Sequence, residues 1–212
     1  KLTKGFSCIK LKIGAIDFEK ELGLLRFIRQ NFNAKTIEIR VDANGAFNPS
    51  EALYKLNQLV EFELHSIEQP IKDNQLQEMK LLCQQTPFPI ALDEELIGVF
   101  GIENKRKLLE EIQPQYIILK PSLVGGFKGA LEWISIAESL NIGWWITSAL
   151  ESNIGLNAIT QFTYTLNNQM PQGLGTGGLY TNNFDCPLEI DKGHIKYNVQ
   201  KHWDVSNLGI SL

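Results

Sequence analysis

A chain of 212 residues with 43% hydrophobic and 21% charged side chains has the make-up of an ordinary globular protein, long enough to bury a sizeable core. Its formal net charge of -4, with no Lys/Arg-rich run, argues against a nucleic-acid binder, and no uninterrupted apolar stretch reaches membrane-spanning length. Cys8, Cys83 and Cys186 are odd in number and lack metal-ligand spacing, which points to reduced thiols and a cytoplasmic location, while His65, His194 and His202 form no cluster. The chain opens on Lys1 rather than Met and without a signal peptide, so its natural beginning is expected upstream.

The first element, "IKLKIG", reads as a strand. Ile9, Leu11 and Ile13 point to one face, and Lys10 and Lys12 to the other. "AIDFEKELGLLRFIRQNF" follows with Phe18, Leu22, Leu25 and Ile28 at helical spacing, and "TIEIRVD" then alternates as a strand again. In "NPSEALYKLNQLVEF", Asn48 is an N-cap, Pro49 takes the first helical position, and Glu51 is placed to close a capping box. The alternation continues to the end. "HSIE" precedes a helix around Leu76 to Cys83, "PIALD" one around Lys105 to Ile112, and "YIILK" precedes "FKGALEWISIAESL". "GWWITS" leads into a helix around Ile154 to Leu166, and "QGLGTGG" reads as a further strand end and loop.

Strand and helix in strict alternation mean parallel strands joined by right-handed crossovers, in a doubly wound sheet or a barrel. Polar residues choose between them. Lys12, Asp42, Glu68, Asp93, Lys120 and Ser148 close their strands at intervals of 30, 26, 25, 27 and 28 residues. In an open sheet these ends would spread along a line, with ligands gathering at one switch point. In a (β/α) barrel they converge on the C-terminal mouth, where such folds carry their active sites.

Lys10 and Lys12 then face the barrel interior beside carboxylates from neighbouring strands. One acid at a strand end ordinarily caps the helix that follows. Three on consecutive strands, Asp42, Glu68 and Asp93, would repel one another unless protonated or bound to a cation. An all-oxygen set suits a hard ion such as Mg2+, with sites left for substrate. An ion flanked by Lys12 and Lys120 could bind a substrate carboxylate and hold its α-carbon between two potential bases, with electrostatic stabilisation of the enediolate as the main catalytic effect.

Together, "KLK", "RVDANG", "SIEQP", "ALDEEL" and "ILKPSLVGG" resemble the barrel of the enolase superfamily, in the branch that includes muconate-lactonising enzymes. The likeness spans roughly residues 5 to 180, and five residues in order at strand ends are far more specific than one short motif. "ITSALESNIGLNAI" and "GLGTGGLY" are similar, within that branch, to the o-succinylbenzoate synthases of menaquinone biosynthesis. The resemblance implies a dehydratase with Lys12 as the base and then the acid, Lys120 as a fixed cation, and Asp42, Glu68 and Asp93 on Mg2+, for which Mn2+ could substitute. It also implies supporting or substrate-facing roles for Lys10, Asn44, Glu94, Ser148, Gly175 and Gly177. The partner it implies is a small carboxylate substrate, with no nucleic acid or membrane. An N-succinylamino acid racemase of the same branch, or an inactive barrel fragment with an interaction role, are the alternatives.

The resemblance further implies an α/β fold, a TIM-type barrel lacking its first strand and helix and the N-terminal α+β capping domain. Residues 1–185 would form the incomplete catalytic barrel, and residues 186–212 would return to pack toward the cap. A strand beside that of Lys12 would be missing unless another segment supplied it.

Overall fold

The computed structural model describes residues 2–204 and 206. Six parallel strands form one sheet in sequence order: β1 (Cys8–Lys12), β2 (Glu38–Asp42), β3 (Ser66–Glu68), β4 (Ile90–Leu92), β5 (Tyr116–Leu119) and β6 (Gly143–Ile146). Between and after them run α1 (Phe18–Asn31), α2 (Pro49–Leu59), α3 (Leu76–Gln85), α4 (Ile102–Ile112), α5 (Gly126–Ser139) and α6 (Asn153–Thr165). An unbroken order with every neighbour parallel is what a rolled βα sheet gives, and β1 stands at its open edge. Where the sequence suggested a further strand at "QGLGTGG", Gly173 makes a single parallel bridge to Thr147, so only the start of a seventh position is present. A separate antiparallel hairpin follows, β7 (Leu188–Asp191) and β8 (His194–Tyr197).

Alternation along each strand divides the buried side chains into two layers. Outward residues such as Ile39, Val41, Ile67, Ile90, Leu92, Ile117 and Ile146 pack under the helices with Leu25, Leu56, Met79, Leu109 and Trp133 in one large core. On the concave face, Ala91, Ile118 and Trp145 make a second, small cluster with Tyr116 and Met170. Below them Arg40 donates to Glu38 at 2.7 Å and to the carbonyl of Pro171 at 3.0 Å, with its guanidinium 4.1 Å from the Trp145 ring. This floor of cation and aromatics fills the closed end of the half-barrel and leaves the other end to polar groups.

Local signals explain the helix starts. Asn48 caps α2 as expected, its side chain accepting from the Ser50 amide, and Pro49 follows it. Glu51 differs from the capping-box expectation, because its carboxylate reaches one turn forward to Lys55 at 3.1 Å. On α4, Lys105 is buried and bonds to the Gly129 carbonyl at 3.0 Å and to Glu132 at 2.8 Å, tying α4 to α5. At the hairpin turn, Lys192 and Gly193 lie against Gly5, so closely that a side chain at either glycine would strike backbone. Tail positions 205 and 207–212 lie outside the described residues, so the expectation for that part of the tail has no structural counterpart here. Among the described residues no helix is long and apolar enough to cross a membrane.

Candidate active site

Register sets the site. Lys12 pairs with Asp42 and Asp42 with Glu68, so three polar residues stand side by side on β1, β2 and β3. Glu68 pairs with Ala91 and Ala91 with Tyr116, so Asp93 and Lys120 come next along the same rim, each just beyond the end of its strand. All of them leave the sheet on its concave face at the C-terminal end, where the strand ends converge.

The acids are among the most deeply buried groups of the chain, with Asp42, Glu68 and Asp93 at 0%, 2% and 1% exposure. Lys10 supplies the charge that makes this tolerable. Its ammonium donates to Asp42 at 2.8 Å and to Glu68 at 2.7 Å, while Lys12 donates to Asp42 at 3.0 Å. Lys120 donates to Asp93. Burial alone would lower the pKa of Lys10, but Glu68 and Asp42 outweigh it and hold the ammonium above its ordinary value. Asp42 is the converse case, where burial would raise it and Lys10 with Lys12 bring it below the usual carboxylate range. Glu68 is pushed well up, first by burial and then by Asp42 and Asp93, with Lys10 opposing.

The three carboxylates therefore share one crowded, negative neighbourhood, but their oxygens do not meet at a single point. The Lys10 ammonium stands between Asp42 and Glu68, Glu68 and Asp93 lie within reach of each other, and among the described residues no group of three or more His, Cys, Asp or Glu side chains is positioned around one ion. The donor chemistry still fits a hard divalent cation. All three side chains offer only oxygen, Glu68 feels both of the others, and Glu68 Oε1 is buried with no hydrogen-bond partner.

Around this group the polar chain continues. Asn44, in the left-handed region at φ 42°, accepts from Lys12 and donates to Glu94 Oε1 at 2.8 Å, and its backbone amide donates to Asp42 at 3.0 Å. Asn44 thus links Lys12 to Glu94. Ser148 is buried two residues past β6, and its hydroxyl donates to Glu151 at 2.6 Å. Gly175 lies against Phe6, and Gly177 against Asn153 and Leu156 at the start of α6, so both serve close packing of the loop that follows Gly173. Two residues not singled out from the sequence also act here. Gln69 accepts from the amides of Asp93 at 3.1 Å and Glu95 at 3.4 Å, fixing the turn that carries Asp93. Glu151 bonds to both Ser122 and Ser148. Both sit inside stretches already quoted, "SIEQP" and "ITSALES", but the bonds of Gln69 to Asp93 and of Glu151 to Ser122 span 24 and 29 residues, beyond any local pattern.

Residues 1–200 match the family model described as "Enolase C-terminal domain-like". The chain belongs to the enolase superfamily. Within the superfamily it is 58% identical over 193 residues to an o-succinylbenzoate synthase of Desulfotalea psychrophila, covering 91% of this chain and 52% of that protein. A crystal structure of MenC from the same organism superposes with a TM-score of 0.87 at 55% identity, covering 92% of this chain and 53% of the other. An N-succinylamino acid racemase of Thermus thermophilus is 34% identical over 155 residues, covering 73% of this chain and 39% of that protein. The chain thus spans about half the length of the relatives it matches. Its six-strand sheet is the superfamily barrel in part, with β1 as an edge.

Proposed function

We propose that this half-barrel carries the reacting groups of an o-succinylbenzoate synthase, which converts 2-succinyl-6-hydroxy-2,4-cyclohexadiene-1-carboxylate to o-succinylbenzoate and water. The observation that carries the reading is 58% identity to a synthase across 91% of the chain. It is joined by Lys12 and Lys120 standing on opposite flanks of the carboxylate group. The amine of Lys12 takes the proton α to the substrate carboxylate. As its conjugate acid it returns that proton to the departing hydroxyl, so one C–H and one C–O bond break as the ring becomes aromatic and water leaves. Lys120, anchored to Asp93, stays charged and stabilises negative charge building on the substrate's oxygens. Asp42, Glu68 and Asp93 would hold Mg2+, or Mn2+ in its place, and the bound ion would supply further positive charge for the substrate carboxylate. Asn44, bridging Glu94 and Lys12, orients the base.

The racemase relative favours a second reading, in which both lysines exchange protons, one on each face of the α-carbon. Turnover by the full-length enzyme in D2O separates the two. The synthase reading expects conversion of the cyclohexadiene substrate, abolished by Lys12→Ala, with little solvent deuterium entering either enantiomer of N-succinyl amino acids. Rapid deuterium entry from both hands, with no dehydration, would replace it by the racemase reading.

A further inference from the structure

We propose that Glu151 is a positioning residue for Lys120, its carboxylate clamping together the two loops that leave the sheet after β5 and β6. The inference rests on the role of Lys120 given above and deepens it. Ser122, two residues past Lys120, donates to Glu151 Oε1 at 2.5 Å. Ser148, on the next loop, donates to Oε2 at 2.6 Å, and the Ala149 amide donates to Oε1 at 3.1 Å. One carboxylate thus holds both loops, with Oε1 shared between Ser122 and Ala149 and Oε2 taken by Ser148. Burial would raise the pKa of this acid, but the Ser122 and Ser148 hydroxyls outweigh it and lower it, so the clamp is a carboxylate at neutral pH.

Two features show that the arrangement does more than connect β6 to α6. Leu150 is held in the left-handed region at φ 69° with its side chain half exposed, a strained conformation for a bulky residue that apolar burial does not offset. Its amide donates to Ser148 Oγ at 2.9 Å, and its carbonyl accepts from the Tyr180 hydroxyl at 3.1 Å. Glu151 and its serines hold that strained turn in place. On the other loop the path to Lys120 is short and stiff. Pro121 fixes its own φ, and the amides of Leu123 and Val124 bond back to the Lys120 carbonyl at 2.8 and 3.1 Å. A shift of Ser122 is therefore carried to the Lys120 backbone. Placement matters for a fixed charge, since a misplacement of about 1 Å can cost roughly 100-fold in rate.

Steady-state kinetics of full-length variants on the cyclohexadiene substrate test the clamp. Glu151→Ala is expected to lower kcat about 10- to 100-fold with KM changed by less than about threefold. Glu151→Gln keeps a carbonyl acceptor for Ser122 and Ala149 and is expected to recover most of that loss. Ser122→Ala should resemble Glu151→Ala, and the double variant should be no worse than the more impaired single one. Fully additive losses, a Gln variant as impaired as the Ala variant, or an effect on KM alone would each overturn the clamp. Hydrogen exchange over residues 119–126 is a readout independent of turnover. It should quicken in Glu151→Ala and recover in Glu151→Gln, and unchanged exchange in the Ala variant also overturns the proposal. A wild-type enzyme that does not dehydrate the substrate counts against the proposed function, and exchange alone then decides on the clamp.

Discussion

Single residues show how burial sets chemistry in this fold. Lys10 and Lys12 belong to one strand face and differ in what surrounds them. Lys10 is locked between two buried acids, whereas the Lys12 side chain is 64% exposed at the open edge and touches only one of those acids together with Asn44. That difference suits one to be a structural counter-charge and the other a mobile base. Cys83 illustrates the opposite extreme. Buried on α3, its thiol is pushed up to about 12, first by burial and then by the charge of Glu95. Raising a thiol's pKa favours the neutral form at every pH below it, and at pH 8 roughly one thiol in ten thousand would be thiolate. Cys83 is therefore expected to resist iodoacetamide at pH 8 in the native protein and to react promptly in urea, as read by peptide mass spectrometry. Native-state labelling at the rate of a small-molecule thiol would show that the thiol is accessible in the folded chain.

At the level of elements, the connections that place the mouth loops are non-local. Helix α6 begins at Asn153 after Ser152, whose side chain makes no capping bond. The cap comes instead from Asn183, whose Oδ1 accepts from the Asn153 amide at 2.8 Å while its amide nitrogen donates to the Gly177 carbonyl at 3.2 Å. Asn153 in turn donates to the Phe184 carbonyl at 2.6 Å. One asparagine thus supplies a helix cap and pins the loop carrying Gly175 and Gly177 beside α6. Asn183→Ala is expected to lower stability by about 1 kcal/mol through the lost cap. It should also quicken proteolytic cleavage between residues 177 and 184. A loss of stability with no change in cleavage would mean that the cap matters and the pinning does not.

For the whole molecule, the gradient runs from the middle of the sheet to its edge. Strands β3 and β4 are wholly buried, whereas β1 is only partly covered and has a neighbour on one side alone. Edge strands present unpaired backbone groups to solvent. In the 212-residue chain, hydrogen exchange is expected to be slowest in β3 and β4 and faster in β1 and the β7–β8 hairpin. Equal protection of β1 and β3 would mean that the edge is covered in solution.

The sequence by itself carried the alternation of strand and helix, the inward face of each strand, and the five ionisable residues at strand ends. These are periodic and local, because side chains alternate along a strand and each βα unit recurs at nearly the same spacing. Tertiary structure decided which charge meets which. Register put Lys12, Asp42 and Glu68 abreast and gave the acids to Lys10, Lys12 and Lys120 rather than to one point. It reduced the expected strand at "QGLGTGG" to one bridge, and it brought Gln69 to Asp93 and Glu151 to Ser122. The physical reason is that hydrogen bonds between loops depend on the stagger and curvature of the rolled sheet. Those arise from the packing of all the strands and helices together, and no single stretch of sequence encodes them.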